Sequence, residues 1–375
     1  MNQICSRCVM DTSDESINFD EFGVCDHCHT FDLKILPKWK NGENREQELQ
    51  EIIHSIKKKG EGSEFDCILG MSGGVDSTYL LHKAVTEFGL RPLVFHVDGG
   101  WNTDLAVENI ENIVNKLNLD LYTEVINWKE MSDLQLSFFK SGVSHIDTPQ
   151  DHAFFATMYK FAQKNNIKSI ITGGNFSTEA IRNPKNWMYY QSDTIQIKDI
   201  HKQYGSLKLK TFPLANILWY KVYLPLIKSI KLYRLLDYIP YNKENSLVEL
   251  ESIYNYRRYP QKHFESRFTR FYESYWLPKR FGFDVRKVQF SSLILTGQMS
   301  RETALELLAA SPADEDFIRN ETLYVANKLD ITIEELNKYL NLSLRTHRDY
   351  RNIESLYQIG ANVFRYFGKE LGGKR

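Results

Sequence analysis

Residues 67–77 read Cys67-Ile68-Leu69-Gly70-Met71-Ser72-Gly73-Gly74-Val75-Asp76-Ser77, and the reading of the whole chain turns on them. An apolar run, Cys67 to Met71, gives way at once to two glycines framed by hydroxyls and one carboxylate. Behind it Leu80, Leu81, Ala84, Val85 and Phe88 recur at helical spacing and predict one buried face. Strand, glycine turn and helix N-terminus together make a holder for phosphate. Glycines let the backbone approach closely, successive N–H groups point at the anion, and the helix dipole adds positive potential. A Walker A loop would close a four-residue gap between glycines with a Lys-Ser/Thr pair, and no such pair occurs here.

The 375 residues allow about two to three domains, and 42% apolar residues suffice for a full core. With 47 basic and 48 acidic residues the formal charge is -1, which excludes a globally polyanion-binding chain. The longest apolar stretch, residues 214–227, is interrupted by Lys221 and flanked by Lys228 and Lys231. It predicts a buried or amphipathic helix rather than a membrane span. Met1-Asn2-Gln3-Ile4-Cys5 lacks the basic and apolar regions of a signal peptide, so a cytoplasmic enzyme is expected.

Four of the five cysteines form two pairs, Cys5-x2-Cys8 and Cys25-x2-Cys28, separated by sixteen residues. Each knuckle places two thiolates on one side of a tight turn, and two knuckles complete a tetrahedron for structural Zn²⁺. Disulfides are the rival pairing, disfavoured in a reducing compartment. Asp26, His27 and His29 flank the second knuckle, so a histidine could replace one sulfur.

Three regions follow: a zinc-ribbon-like unit over 1–40, an ATP-binding α/β domain over 41–250, and a basic, aromatic and helical region over 251–375. Residues 38–62 read as a connecting helix. From Phe65 strands alternate with helices. A second strand covers 93–98 and closes with Asp98-Gly99-Gly100, a third covers 121–126, and a fourth covers 169–172 before Gly173-Gly174-Asn175. This alternation predicts a parallel sheet covered on both faces. Loops 72–77, 98–102 and 173–179 all follow strand C-termini, where such sheets bind ligands. From Tyr254 to Gln289 nine Lys/Arg stand against three Asp/Glu. Phe264, Phe268, Phe271, Tyr272 and Tyr275 lie at helical spacing there and predict core. Ser300 and Thr332 are candidate N-caps.

Ser72-Gly73-Gly74-Val75-Asp76-Ser77 resembles the PP-loop of the ATP pyrophosphatases, which grips pyrophosphate and splits ATP to AMP. The resemblance extends to Asp147-Thr148-Pro149-Gln150-Asp151-His152, to Thr172-Gly173-Gly174-Asn175, and to Lys262-His263-Phe264-Glu265-Ser266-Arg267-Phe268-Thr269. Ser292-Leu293-Ile294-x-x-Gly297-Gln298-Met299-Ser300-Arg301-Glu302 and the N-terminal cysteine pairs complete it. Together these are similar to the N-acetyl sugar amidotransferase family over nearly the whole chain. The resemblance implies an adenine nucleotide alpha hydrolase-like (PP-loop) α/β fold with a zinc-ribbon unit. It also implies a place in bacterial surface-polysaccharide, lipopolysaccharide or flagellin-glycan pathways, making an acetamidino group from an acetamido group. In that chemistry the amide oxygen attacks the ATP α-phosphorus, and ammonia then displaces AMP.

Ser72, Gly73, Gly74, Val75, Asp76 and Ser77 are the implied phosphate set, with Mg²⁺ beside them. Asp76 orients Mg²⁺ or a hydroxyl, or else caps the helix. Asp98, Gly99, Thr172 and Gly173 are placed for the nucleoside, or, for Asp98 and Gly99, simply form a turn. Gln150, Asp151, Asn175 and Glu179 are candidates for the sugar, and Lys262 and His263 join Ser72 and Asp76 as catalytic candidates. Carboxylate–His or carboxylate–Lys pairs would accept ammonia's proton. Pro260-Gln261 stands where the family has Gly-Gly, a local departure beside Lys262. The basic run suits an anionic sugar, either a sugar acid or a nucleotide-linked form.

The fifth cysteine, Cys67, lies in the apolar strand and reads as a buried, inert thiol. Residue 2 is Asn, so no N-terminal cysteine nucleophile arises either. Ammonia is therefore expected from a separate glutaminase, with a synthase-like subunit as in the histidine-pathway pair. Two rival readings remain. One is a PP-loop tRNA-modifying, thiolation-type enzyme, which the near-neutral charge disfavours. The other is a zinc-ribbon scaffold with a decayed ATP site.

Overall fold

The computed structural model describes residues 3–40 and 45–356. Five strands form its centre: β1 (Cys67–Gly70), β2 (Pro92–Asp98), β3 (Leu121–Val125), β4 (Ser169–Ile171) and β5 (Lys231–Tyr233). All pair in parallel, in the order β3-β2-β1-β4-β5. Side chains alternate across the sheet with the period of two that a pleated strand imposes. Ile68, Leu93 and Phe95 enter one apolar layer, and Cys67, Leu69 and Val94 the other.

Helices α1 (Arg45–Lys59), α2 (Val75–Thr86) and α3 (Asp104–Lys116) cover the second layer. The first is covered by α4 (Trp128–Ser141), α5 (Thr148–Lys164) and α6 (Thr194–Tyr204). The connecting helix read over 38–62 is largely α1, and residues 41–44 lie outside the described residues. Short polar side chains start the helices: Thr103 accepts from Ala106 N, Asn127 from Glu130 N and Asp193 from Gln196 N. Each such cap contributes about 1 kcal/mol. The chain runs outward to β3, then returns to place β4 on the other side of β1. That reversal opens a crevice at the strand C-termini.

Beyond β5 the chain folds back onto the same core. Phe268, Phe271, Tyr272 and Trp276 are buried in the layer that holds Ile68 and Phe95. They lie on one helical run, Arg267–Phe271 and Leu277–Phe281, joined by a π-helical segment at Tyr272–Trp276. Ser300 and Thr332 cap the helices that follow, accepting from Thr303 N and Glu335 N.

Residues 214–227 follow the amphipathic alternative of the expectation, with a winding that is not α-helical. Trp219–Ile227 winds as a π-helix with Pro225 inside it, and Leu224 is its one fully buried apolar side chain. Leu218, Leu226 and Ile227 are 70%, 70% and 67% exposed. Leu214, Trp219, Tyr220 and Tyr223 pack part-buried against the same core layer as Leu224, so one face of the segment turns inward and the other outward. Among the described residues, no helix is long and apolar enough to cross a membrane.

The four N-terminal thiols form a closed cage. Their Sγ atoms lie within 4.8 Å of one another, with Cys8–Cys25 at 3.6 Å, Cys25–Cys28 at 3.7 Å and Cys5–Cys28 at 3.8 Å. A tetrahedron with Zn–S bonds of about 2.3 Å has S···S edges of about 3.8 Å, so this donor set fits zinc with no place for a fifth ligand. His27 and His29 are turned away, to Asp14 and Asp20. Arg301 clips the first knuckle to the body by donating to the Cys5 and Cys8 carbonyls at 2.8–3.2 Å, and Val9 N donates to Ser291 Oγ. Purified chain is expected to carry about one zinc ion. Cys5→Ser and strong chelation should each lower Tm, whereas Cys67→Ser should leave the metal content unchanged; metal analysis with thermal melts checks this.

Candidate active site

The crevice has a volume of about 1020 Å³ and is lined by the ends of β1, β2 and β4 and by the 256–273 segment. On its floor the 72–77 loop is braced by its own hydroxyls. Gly74 N donates to Ser72 Oγ, Ser72 N to Ser77 Oγ, and Ser77 Oγ to Gly74 O, at 3.1–3.3 Å. Gly73 has φ +84°, a conformation that favours glycine, and its carbonyl accepts from Tyr256 OH and Tyr259 OH at 3.1 and 3.2 Å. The β4 loop presses close: a Cβ on Gly173 would lie 2.7 Å from Ser77 N. Only a bare Cα allows that approach.

Asp76 does not cap its helix; the N-cap is Gly74 and makes no side-chain bond. Its carboxylate faces the crevice and accepts from Tyr241 OH at 2.5 Å. Lys262 Nζ lies 3.6 Å from Asp76 Oδ2, 2.8 Å from Glu179 Oε1 and 3.4 Å from Thr178 Oγ1. Three residues read from separate motifs therefore meet. Burial alone would push Glu179 up, but the Lys262 charge and hydrogen bond hold it below its ordinary value. Burial likewise opposes the Lys262 charge, and Glu179 and Asp76 overcome it and raise its pKa. Both groups stay ionised at neutral pH.

The 262–267 segment is set in place by backbone pairing with the β2 loop. Thr103 N donates to Glu265 O and Arg267 N to Trp101 O, at 3.0 and 2.8 Å. His263 takes φ +67°, a left-handed conformation that costs a β-carbon residue on the order of 1 kcal/mol. It is held by Glu273, whose carboxylate meets Nδ1 at 2.9 and 3.1 Å. Glu273 lies on the π-helical segment, a distortion common at functional sites. Burial disfavours the His263 charge, yet Glu273 raises its pKa to about 9.

Other assigned residues fall in different places. Gln150 is buried and donates to Asp147, Ser266 and Thr269, and Asp151 Oδ2 sits 3.2 Å from His145 Nε2; both line the crevice. Val75, Thr172 and Gly173 line it too. Asn175 does not: it is fully buried, bonded to Thr178 N and the Gly173 carbonyl, and shapes the turn. Asp98 and Gly99 are also absent from the wall. Asp98 Oδ1 accepts from Gly100 N at 2.7 Å and from Asn102 Nδ2 at 3.2 Å and braces the turn. Phe95, His96 and Val97 form the wall at that strand end.

Several crevice residues escaped the sequence reading. Glu265 Oε1 is 3.5 Å from Ser72 Oγ and sits over Gly74, where an added Cβ would be 2.8 Å away. Burial raises its pKa. The signal for it was present, since it lies inside the 262–269 motif. Lys243 and Glu273 carried no local signal, nor did Tyr241, which is buried behind Asp76. A carboxylate beside a phosphate cradle repels the ligand unless a cation lies between them. Asp76, which lines the crevice beside the loop, thus fits a Mg²⁺ ion, which would supply charge neutralisation on the phosphates.

Comparison with known proteins bears on the wall opposite the loop. Residues 265–363 match the family model described as LPS biosynthesis protein WbpG-like, C-terminal domain. The match starts at Glu265 and includes the 292–302 motif, and it supports the amidotransferase resemblance. An uncharacterized protein of Methanocaldococcus jannaschii is 30% identical over 187 residues, which span 48% of this chain and 63% of that protein. An NH3-dependent NAD synthetase from Campylobacter jejuni, solved with nitrate, superposes with a TM-score of 0.30 and 15% identity, covering 80% of this chain and 98% of that one.

The His263–Glu273 pair has a defined pH signature. Folding raises the histidine from its ordinary 6.5 to about 9, so its stabilisation is complete below about 6.5 and is lost as pH rises through about 9. Urea unfolding across that window should show this loss in the wild type and a flatter profile in Glu273→Gln.

Proposed function

We propose that the chain is an ATP-dependent amidotransferase of bacterial glycan biosynthesis, converting an acetamido group of an anionic N-acetyl sugar to an acetamidino group. The observation that carries this reading is the convergence of the Ser72–Ser77 loop with Asp76, Glu179 and Lys262 in one crevice whose facing wall is WbpG-like. An amide oxygen is a poor leaving group. Its attack on the α-phosphorus releases pyrophosphate and leaves an adenylated imidate; ammonia then adds to the imidate carbon, AMP departs, and a proton is lost.

The loop amides and the α2 dipole suit the pyrophosphate, and Lys262, charged and directed inward, suits the phosphate charge that grows as the bond breaks. Protonated Lys262 and His263 are poor acceptors for ammonia's proton, which leaves that role to a carboxylate beside them. The carboxylates are better suited, above all Glu265, whose raised pKa brings it closer to the operating pH. Gln150 and Asp151 stand on the sugar side.

The reading includes external ammonia. Cys67 is fully buried and burial pushes its thiol far up, and the other four cysteines form the metal cage. This supports a separate glutaminase with a synthase-like subunit. The same burial disfavours the tRNA-thiolation reading, which needs an accessible sulfur relay.

The test incubates the protein with Mg-ATP, high ammonium and a panel of acetamido sugar acids, free and nucleotide-linked. AMP should appear with one sugar only, together with a product lighter by the difference between O and NH. Lys262→Ala should lose about 10²- to 10³-fold in turnover while remaining folded. AMP release with tRNA and with no sugar would overturn the proposal.

A further inference from the structure

The chain is nearly neutral overall, yet residues 194–236 hold seven lysines and one arginine against a single acid, Asp199. Within this stretch lie the exposed aliphatic side chains of Leu218, Leu226 and Ile227. The π-helix that carries them leads directly into β5, the edge strand, where Lys231 and Leu232 are also exposed. Trp219, Tyr220 and Tyr223 lie half-buried at the base of the patch. Lys221 Nζ rests 5.3 Å from the Tyr220 ring centroid and Lys228 Nζ 5.7 Å from that of Tyr223.

We propose that the face formed by residues 218–232 docks the protein, peripherally and reversibly, on an anionic lipid surface. Exposed leucine and isoleucine beside half-buried aromatic rings and flexible lysine stems match an interfacial helix: apolar tips enter the acyl boundary, rings sit at headgroup level, and ammonium groups meet lipid phosphates. The composition disfavours other occupants. Protein interfaces are depleted in lysine and favour arginine, and here the charge is almost all lysine. Single-stranded nucleic acid uses exposed aromatic faces for stacking, and these rings are partly covered. The seat lies beside the crevice, since Tyr220 packs on Phe155 at 5.4 Å and Phe155 lines the crevice wall.

The experiment is flotation of the full chain with vesicles of phosphatidylcholine alone and of phosphatidylcholine with phosphatidylglycerol. Binding is expected only to the anionic vesicles, and should be released as salt rises from about 0.1 M to about 0.5 M. Leu226→Asp/Ile227→Asp should weaken binding at least about tenfold, and Lys221→Glu/Lys231→Glu by roughly twenty-five-fold, at about fivefold per lysine. All four residues are exposed, and unchanged Tm and sugar-free ATP binding would show both variants folded. Absence of wild-type binding to anionic vesicles, or equal binding by both variants, overturns the proposal. A wild-type dimer that the apolar variant dissociates, with no vesicle binding, would assign the face to a second copy; salt-sensitive RNA retention without vesicle binding would assign it to nucleic acid. None of these outcomes depends on the sugar reaction.

Discussion

Lys262 lies between carboxylates from two different strand ends, Asp76 after β1 and Glu179 after β4, and the crevice depends on that bridge. The lysine and Asp76 are largely shielded from water, at 14% and 18% side-chain exposure. Removing the cation would leave two carboxylates facing each other where the dielectric screens them poorly. Breaking such a partnership costs about 3–5 kcal/mol when both groups are buried, and less on the Glu179 side, where solvent reaches the carboxylate. Under the proposed function the same charge would meet the nucleotide's phosphates, so that stability and ligand recognition would draw on one ammonium group.

The surrounding structure serves to hold that group in register. Backbone pairing of 265–267 with the β2 loop sets the height of the segment, and two tyrosines anchor the phosphate loop through the Gly73 carbonyl. Gln298 ties the β4 loop to the C-terminal helices by donating to the Ser177 carbonyl at 2.8 Å while accepting from Lys243 N. Three residues later Arg301 grips the cysteine knuckle. One short motif therefore links the cysteine cage to the crevice wall.

Electrostatics separates the charged residues into kinds. Lys262 and His263 are kept protonated by carboxylate partners, one of them at the cost of a left-handed backbone. Glu265 is pushed toward protonation by burial beside an anion cradle. Cations that stay charged suit a growing phosphate charge, and a carboxyl with a raised pKa suits proton transfer. That division follows from burial and neighbours, not from residue type.

Much of the architecture was legible from local pattern. The apolar run into Ser72-Gly73-Gly74 specified a strand, a turn and a helix, and the alternation that followed specified a parallel sheet, because side-chain period reflects which face is buried. The cysteine spacing specified the cage, because thiolate geometry around a metal is local to each knuckle. What only the tertiary structure decided depends on neighbours far apart in the chain. Asp98 commits one carboxylate oxygen to its own turn, and Asn175 its side-chain amide, although both sit at strand ends where ligands bind. Glu273, on a π-helical segment, meets His263 where the backbone is left-handed. Residues 214–227 turn Leu224 and the Trp219, Tyr220 and Tyr223 rings toward the core and leave Leu218, Leu226 and Ile227 exposed, a split that the apolar run alone did not assign. Composition and period fix which residues prefer to be buried; the path of the backbone fixes which of them meet.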